Sequence, residues 1–287
     1  MAEHIPTIDH IVLLADLDNT LFNWIDYFAP CFRAMVQVLA DITEVPEDEI
    51  CLQFKQVYSN RGISECSGTI QELELYKQQP AHTREQLQRA AWIAFSRARK
   101  RCLHPYPHVR STMHWLKRQD AMIIGVTNSC AVDAVNRIHL LKLASFFDAL
   151  VAWDGTQTDA TRLPELSHRC FPNRQIICIP SFSRKPSAEA YRAALMHPGA
   201  RSKPSIWVIG DSMSNDLLPA KEVGARTVWA RYGRRCDQQN LDTVTSVTHW
   251  GAEQIQRAYD TTLLVPDFVI DDFADLRKIV VACDRTV

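Results

Sequence analysis

The sequence predicts an α/β fold, in which a parallel sheet carries an inserted all-helical segment. After residue 105, short apolar runs alternate with amphipathic segments, which is the pattern of parallel strands joined by helices. Ile11 to Ala15 form a further apolar run, as expected of a strand buried on both faces. About 80 residues with helical patterns separate this strand from the next, whereas a crossover needs about a dozen. We therefore expect a second domain inserted after the first strand.

The later strands are predicted at six apolar runs, which are Met122 to Val126, Asp148 to Val151, Ile176 to Ile179, Ile206 to Ile209, Thr227 to Trp229 and Phe268 to Ile270. Ser129 and Ser187 are placed to cap the helices that follow two of these strands.

The inserted segment is predicted to be helical over Trp24 to Leu39, after Pro46, near Thr69 to Tyr76 and after Thr83. Thr83 and Gln86 have the spacing of a capping box. Pro105 and Pro107 break any helix near the end of the segment, so its junctions with the sheet are expected near Asn23 and between His104 and His108.

The composition is that of an ordinary globular protein of 287 residues, 46% of them hydrophobic. Its 32 basic and 33 acidic residues give a net charge of -1, which provides no general attraction to nucleic acid or to an acidic membrane. No apolar stretch approaches the roughly 20 residues that cross a bilayer. Nine cysteines without a C-x-x-C pair favour reduced thiols. We expect a cytoplasmic protein that binds neither nucleic acid nor membrane.

Two acidic residues, Asp16 and Asp18, directly follow the first predicted strand. Ligand sites in open α/β sheets lie beyond the carboxyl ends of the strands, and residues two apart on an extended segment point to the same side. Two carboxylates facing one cleft require a cation, and a donor set made only of oxygen suggests Mg²⁺. The alternative is an Asp-Asn turn that merely ends a strand.

Three further groups of polar residues follow predicted strands. Thr127 and Asn128, with Ser129, suit the binding of a phosphate oxygen at a helix start, although a helix cap is the simpler explanation. Lys185 precedes a proline and could equally be a solvated charge. Gly210 opens the third group, which contains Asp211 and Asp216; Asp216 could also be a helix N-cap. Together, up to four carboxylates would need Mg²⁺ and Lys185 as countercharge, and a phosphoryl group could bridge the metal, Lys185 and Thr127.

The four motifs in this order, Asp16-Leu-Asp-Asn-Thr, Thr127-Asn-Ser, Lys185-Pro and Gly210-Asp-Ser-Met-Ser-Asn-Asp, resemble those of the haloacid dehalogenase superfamily of aspartyl-phosphate hydrolases. The resemblance covers nearly the whole chain. It implies a Rossmann-like catalytic core formed by residues 1–22 and 106–287, and an α-helical cap domain formed by residues 23–105.

The resemblance also implies a role for each motif. Asp16 would be the nucleophile that attacks phosphorus, and Asp18 the acid that protonates the leaving oxygen and later activates water. Thr127 and Asn128 would hold phosphoryl oxygens, and Lys185 would steady Asp16 and the phosphate.

The metal would be Mg²⁺, held by Asp16, by Asp211 and by the backbone carbonyl of Asp18. Asp216 would act behind these ligands or through a water molecule. The expected activity is a phosphatase acting on a small phosphorylated metabolite. A phosphomutase, or a binding protein that has lost catalysis, are the alternatives. Asp18 together with Asp211 argues against carbon–halogen chemistry, and the oligomeric state stays open.

Two features fall outside these motifs. The interval from Thr127 to Lys185 is longer than the resemblance implies, and the polar stretch 154–174 accounts for the excess. We expect a long surface loop there, with a small second lid over the site as the alternative. Arg61, in a break between cap helices, could supply a cation to the substrate.

Overall fold

A parallel sheet of seven strands lies at the centre of the computed structural model, which describes residues 11–65, 68–201 and 205–284. The strands lie side by side in the order β4-β3-β2-β1-β5-β6-β7, and every neighbouring pair is parallel. They are β1 (Ile11–Ala15), β2 (Met122–Cys130), β3 (Ala149–Trp153), β4 (Gln175–Ile179), β5 (Ser205–Gly210), β6 (Arg226–Ala230) and β7 (Phe268–Ile270). The predicted α/β class is confirmed.

The central strand β1 is buried along its whole length because helices cover both faces of the sheet. Its side chains alternate between two apolar clusters. Leu13 and Ala15 belong to the larger cluster, which extends into the inserted helices, and Val12 and Leu14 belong to the cluster on the other face. The first motif therefore leaves β1 from the middle of the protein.

The inserted segment, between β1 and Pro105, contains five helices in the part that the structure describes. They are α1 (Trp24–Thr43), α2 (Glu47–Arg61), α3 (Thr69–Glu72), α4 (Glu74–Lys77) and α5 (Ala81–Cys102). Helices α1 and α5 pack against each other, and Phe22 pairs with Pro105 in an antiparallel bridge where the chain leaves and re-enters the core. The inserted helical block is as predicted; its treatment as a separate domain with bounds 23 and 105 stays a prediction, and residues 1–10 and 285–287 of the predicted core lie outside the described ranges.

The predicted capping box at Thr83 is wrong. Helix α5 begins at Ala81, with Pro80 as its N-cap, so Thr83 lies within the first turn. Proline fixes its own φ and has no backbone N–H that would need a hydrogen-bond acceptor. With Pro80 as N-cap, the helix begins two residues before the predicted cap.

Nine further helices in the described ranges complete the layers around the sheet. They are α6 (Val109–Arg118), α7 (Ala131–Leu140), α8 (Gln157–Cys170), α9 (Glu189–Leu195), α10 (Pro198–Arg201), α11 (Leu218–Glu222), α12 (Gln238–Val247), α13 (Ala252–Ala258) and α14 (Asp275–Asp284). Across the described ranges, no helix has both the length and the apolar character needed to cross a membrane.

Most of the stretch 154–174 is a helix, α8 (Gln157–Cys170), so the expectation of a long surface loop was wrong. Thr156 and Asp159 form a reciprocal capping box: the Thr156 hydroxyl accepts a hydrogen bond from the Asp159 backbone N–H (3.3 Å), and the Asp159 carboxylate accepts one from the Thr156 N–H (2.9 Å). The resulting α8 buries Leu166 and Cys170 and packs on α7 as an ordinary crossover between β3 and β4. It contributes no residue to the cleft that the predicted motifs line, so it is no second lid there either.

A second connection ties the inserted helices to the sheet. Helix α12, in the long link between β6 and β7, packs against α1 and α2. The Arg33 guanidinium on α1 donates hydrogen bonds of 2.7 Å to Thr243 and to Asn240, and Lys55 on α2 donates one of 3.2 Å to the Thr245 carbonyl. Contacts with α12 thus hold the helical block to the core in addition to its junctions with the sheet.

Candidate active site

The motif residues meet at the carboxyl end of the sheet because the chain reverses its direction of winding there. Strands β2 to β4 follow β1 on one side, and β5 to β7 lie on the other. The crevice at such a switch point is the usual ligand site of an open α/β sheet. Asp16 directly follows β1 and Asp211 directly follows β5, which places both at this crevice.

The chain turns tightly after β1. The Asp16 N–H still bonds to the Ile209 carbonyl at 3.0 Å, so the strand pairing continues to the first acid. Asn19 adopts a left-handed φ of 60°, a conformation that asparagine tolerates better than most residues, and its side chain accepts a hydrogen bond from the Trp24 N–H (3.0 Å). Asp16 and Asp18 both line the cleft, and Leu17 between them is buried.

Three buried carboxylates and one ammonium form the centre of the site. One carboxylate oxygen from each of Asp16, Asp211 and Asp216 lies within 4.8 Å of the others. The Lys185 ammonium lies 2.6 Å from an oxygen of Asp16 and 2.6 Å from an oxygen of Asp216. The structure thus brings together four residues from three separate parts of the sequence.

The charges of this cluster are unbalanced. Burial raises the pKa of Asp16 to about 7, with Lys185 opposing the rise and Asp216 adding to it. Burial also raises the pKa of Asp211 well above its usual range, and the nearby carboxylates of Asp216 and Asp16 raise it further. Burial alone would lower the pKa of Lys185, but Asp16 and Asp216 raise it well above its usual value.

This imbalance fits a divalent cation. One ammonium cannot neutralise three buried carboxylates, and an all-oxygen donor set is the kind that Mg²⁺ prefers. The residues present are therefore suited to the metal that the sequence predicted.

Two glycines let the backbone approach the acids closely. A Cβ atom on Gly210 would lie 2.4 Å from the Asp216 side chain, in line with the close approach expected at this position. A Cβ atom on Gly233 would lie 2.2 Å from the Asn19 carbonyl oxygen and 2.6 Å from the Asp211 Cβ. Gly233 thus packs the loop after β6 against both acidic loops.

Asp216 is not a helix N-cap. The cap of the turn Met213–Leu217 is Ser212, whose hydroxyl accepts a hydrogen bond from the Asn215 N–H (3.1 Å). Asp216 lies inside that turn, where one of its oxygens accepts a bond from the Ser212 N–H (3.0 Å) and the other accepts from Lys185. Its orientation toward the cluster is therefore fixed from two sides.

The second motif differs from the sequence expectation in its local structure. Strand β2 continues to Cys130, and α7 begins at Ala131, so Ser129 does not cap a helix. The Ser129 hydroxyl instead donates to an Asp18 oxygen at 2.8 Å. The Thr127 hydroxyl is buried and accepts a bond from the Ser129 N–H (3.1 Å).

Asn128 supports the loop that carries Lys185. Its side-chain amide donates to the Lys185 carbonyl at 2.8 Å, while its side-chain oxygen has no hydrogen-bond partner among the described residues. Asn128 lines the cleft, and Thr127 lies behind it, outside the described lining. That these two residues hold phosphoryl oxygens stays a prediction.

Comparisons with known proteins agree with this geometry. A family model described as HAD-hydrolase-like matches residues 182–276, the range that contains Lys185, Asp211 and Asp216. Glyceraldehyde 3-phosphate phosphatase from Methanocaldococcus jannaschii is 21% identical over 231 residues, which cover 79% of this chain and 88% of the relative. Over residues 182–276 the chain thus matches the HAD-like hydrolase family, and the resemblance that its four motifs indicate is confirmed.

Solved structures show the same fold as this hydrolase. The 2-haloacid dehalogenase from Pseudomonas syringae is 18% identical, covers 96% of this chain and 99% of its own, and has a TM-score of 0.55. The putative HAD hydrolase YfnB from Bacillus subtilis, solved with bound magnesium, is 14% identical, covers 95% and 99%, and has a TM-score of 0.51.

The cleft of the hydrolase is a cavity of about 490 Å³ between the sheet and the helices above it. The inserted helices contribute Trp24 and the segment 62–65 to its wall, and the link between β6 and β7 contributes residues from His249 to Tyr259. The rings of Trp24 and Trp250 lie 5.0 Å apart, so an aromatic pair closes the cavity where the two segments meet. No motif in the sequence indicated that this second segment lines the cleft.

Other polar groups of the cavity are also paired. The Tyr259 hydroxyl donates to Asp211 at 3.3 Å, and an imidazole nitrogen of His249 lies 2.9 Å from the Ser64 hydroxyl. Burial, together with the nearby charge of Arg184, lowers the pKa of His249 to about 4, so this imidazole is neutral at neutral pH. We expected Arg61 to offer a cation to the substrate. It forms an ion pair with Glu72 instead and is not among the residues that line this cavity.

Sequence reasoning missed one buried ion pair beside Asp18. Arg137 on α7 is 2% exposed; its guanidinium contacts the Glu65 carboxylate and the Ser129 hydroxyl and lies 3.6 Å from an Asp18 oxygen. Glu65 also accepts hydrogen bonds from the Trp24 indole N–H (2.6 Å) and, at 3.3 Å, from a tyrosine hydroxyl of α1. A single charged residue in the otherwise buried stripe of α7 was the available signal.

Proposed function

We propose that this hydrolase is a Mg²⁺-dependent phosphatase that acts on a small phosphorylated metabolite through an aspartyl-phosphate intermediate on Asp16. The observation that carries the proposal is the buried cluster of Asp16, Asp211, Asp216 and Lys185, with Asp18 beside it in the same cleft. The Methanocaldococcus jannaschii relative is named a glyceraldehyde 3-phosphate phosphatase, which favours a short alkyl phosphate as the substrate.

In the first half-reaction, a carboxylate oxygen of Asp16 attacks phosphorus. The bond between phosphorus and the leaving oxygen breaks, and Asp18 donates a proton to that oxygen. Lys185, which contacts Asp16 directly, keeps the nucleophile oriented and offsets the negative charge of the phosphate.

In the second half-reaction, Asp18 accepts a proton from a water molecule as the water oxygen attacks phosphorus. The bond between phosphorus and Asp16 then breaks, which releases inorganic phosphate and restores both acids. Asp18 has opposite roles in the two steps because the proton it gives up must be replaced.

The residues that would hold Mg²⁺ are Asp16, Asp211 and the backbone carbonyl of Asp18, with Asp216 behind them or acting through water. When bound, the metal would supply positive charge that lets two anions, the carboxylate and the phosphate, approach each other. The cysteines of the described ranges carry free thiols, and we propose the reducing cytoplasm as the place of action.

The test is phosphate release from a panel of phosphorylated metabolites, with and without Mg²⁺. We expect Asp16→Asn and Asp18→Asn to lose nearly all activity, because one removes the nucleophile and the other the proton donor. Asp41→Asn, at an exposed position of α1, is the matched control and should keep wild-type activity. Activity that survives Asp16→Asn, or that needs no divalent metal, would contradict the mechanism, and absence of release across the panel would contradict the phosphatase.

A further inference from the structure

We infer that Arg137 is a positioning residue for Asp18, and that Glu65 of the inserted helical block fixes Arg137 in turn. The inference rests on the proposed function, because it assigns Asp18 the transfer of a proton. It adds two residues, from α7 and from the segment before α3, that none of the four motifs contains.

The first step is the way in which the Asp18 carboxylate is held. One of its oxygens accepts a hydrogen bond of 2.8 Å from the Ser129 hydroxyl, and the other lies 3.6 Å from the Arg137 guanidinium. Arg137 also donates to that same Ser129 hydroxyl. The guanidinium therefore constrains Asp18 both directly and through Ser129, as its planar, multiply donating geometry allows.

The second step is what holds Arg137. A buried guanidinium is stable only beside compensating charge, and Arg137 is 2% exposed. Glu65, whose side chain is 16% exposed, supplies that charge by a direct ion pair. Arg137 also lies over the Phe22 ring, with its guanidinium carbon 5.8 Å from the ring centre. Without Glu65, Arg137 would keep Asp18 as its one anionic partner among these contacts, and its geometry would change.

The third step is what holds the Glu65 side chain in place. Its carboxylate is held by the Trp24 indole N–H at 2.6 Å and by the Tyr27 hydroxyl at 3.3 Å, both on α1. The contacts thus run from α1 through Glu65, Arg137 and Ser129 to Asp18. They link the position of the inserted helices to the orientation of the proton donor. A proton donor that is misaligned loses efficiency even when substrate still binds.

The choice of leaving group tests this role. The phenolate of p-nitrophenyl phosphate leaves without protonation, whereas the alkoxide of glyceraldehyde 3-phosphate needs a proton from Asp18. In Arg137→Gln we expect kcat/KM to fall about 100-fold for the alkyl ester, at the low end of general acid catalysis, and by less than about fivefold for the nitrophenyl ester.

Two further variants locate the effect. Arg137→Lys keeps the charge and should restore part of the activity on the alkyl ester. Glu65→Gln removes the countercharge from Arg137 and should reproduce the selective loss at about tenfold, because the amide can still accept a hydrogen bond. Arg192→Gln is the matched control, since Arg192 forms an exposed ion pair with Glu189 and neither residue lines the cleft, and it should change the rate on neither substrate.

An equal loss on both esters would show a merely structural role for Arg137 and overturn the inference. Crystal structures of the wild type and Arg137→Gln give a readout that needs no activity. We expect the Asp18 carboxylate to leave its contact with Ser129 in the variant, and an unchanged Asp18 would overturn the inference. Failure of the wild type to hydrolyse either ester would contradict the proposed function instead, and the crystallographic comparison would still decide whether Arg137 holds Asp18.

Discussion

At the scale of single residues, the site depends on positions that bear no functional group. Gly233 has no side chain, and a Cβ atom there would approach the Asn19 carbonyl oxygen to 2.2 Å and the Asp211 Cβ to 2.6 Å. Both contacts involve atoms that cannot rotate away, because one is backbone and the other is fixed to it. The loop after β6 therefore sets the separation of the two acidic loops.

We predict that Gly233→Ala lowers the free energy of unfolding by about 1–3 kcal/mol, the range found for overpacked sites, and weakens Mg²⁺ binding. Denaturant unfolding and calorimetric titration with Mg²⁺ measure the two effects. Gly224→Ala is the control: its φ of 72° brings strain of about 1–2 kcal/mol, but apart from its chain neighbours no described residue lies within 4 Å of the added Cβ. Wild-type Mg²⁺ affinity in Gly233→Ala would contradict the prediction.

The sequence located the acids and the lysine of the site but not the residues that orient them. Asp16 and Asp211 each directly follow an apolar run, so their place at the sheet edge depends on local pattern alone. Glu65 and Arg137 are 72 residues apart and come from different layers. In the sequence each looks like an ordinary solvated charge, and only the fold brings the segment before α3 against Arg137 on α7.

At the scale of elements, helix α12 connects the inserted block to the rest of the protein, because it packs against α1 and α2. Arg33 on α1 donates to Asn240 and Thr243 on α12, both at 2.7 Å, so one guanidinium joins the block to the link between β6 and β7. This link also carries His249 and Trp250, which line the cleft. The contact therefore supports one wall of the site.

We predict that Arg33 and Asn240 are energetically coupled. In a double-mutant cycle with Arg33→Met and Asn240→Ala, the interaction free energy should lie at about 0.5–3 kcal/mol, as for residues in one hydrogen-bond network. Urea unfolding of the wild type, the two single variants and the double variant provides the measurement. Arg33→Met paired with Asp41→Asn, on a neighbouring part of α1, should give additive effects; additivity for the Arg33 and Asn240 pair as well would contradict the prediction.

The predicted boundaries of helices and strands were wrong where two local signals in the sequence favoured different structures. Thr156 and Asp159 form the capping box that makes 154–174 helical, although the polar composition favoured a loop. At α5, Pro80 starts the helix ahead of Thr83. In β2, pairing with β3 extends the strand to Cys130, which overrides the helix-capping preference of Ser129.

At the scale of the whole molecule, the parallel sheet follows from the alternation of apolar runs and helices, because parallel strands need crossover connections. That alternation was visible in the sequence, as was the long helical insertion. The return of α12 to the inserted helices was not, because its contacts with α1 join residues more than 200 positions apart, such as Arg33 and Asn240.

Through the buried acids at the sheet edge, the stability of the whole molecule should depend on pH and on bound metal. Without metal, the pKa of Asp16 is raised to about 7 from an ordinary 3.8, chiefly by burial, and the pKa of Asp211 is raised as well. At a pH between these two pKa values of Asp16, the folded chain binds a proton that the unfolded chain does not. The contribution of Asp16 to stability is therefore present at low pH and is lost as the pH rises from about 4 toward 7.

Mg²⁺ should reverse this trend, because its ligands must be deprotonated and a ligand that binds the folded state stabilises it. We predict that Mg²⁺ raises Tm more at pH 8 than at pH 5.5, measured by thermal unfolding at matched ionic strength with KCl as the reference salt. Asp211→Asn should abolish most of the rise at pH 8, whereas Asp41→Asn should leave it intact. An equal rise at both pH values, or a rise that persists in Asp211→Asn, would mean that Mg²⁺ acts on the protein elsewhere than at the buried acids.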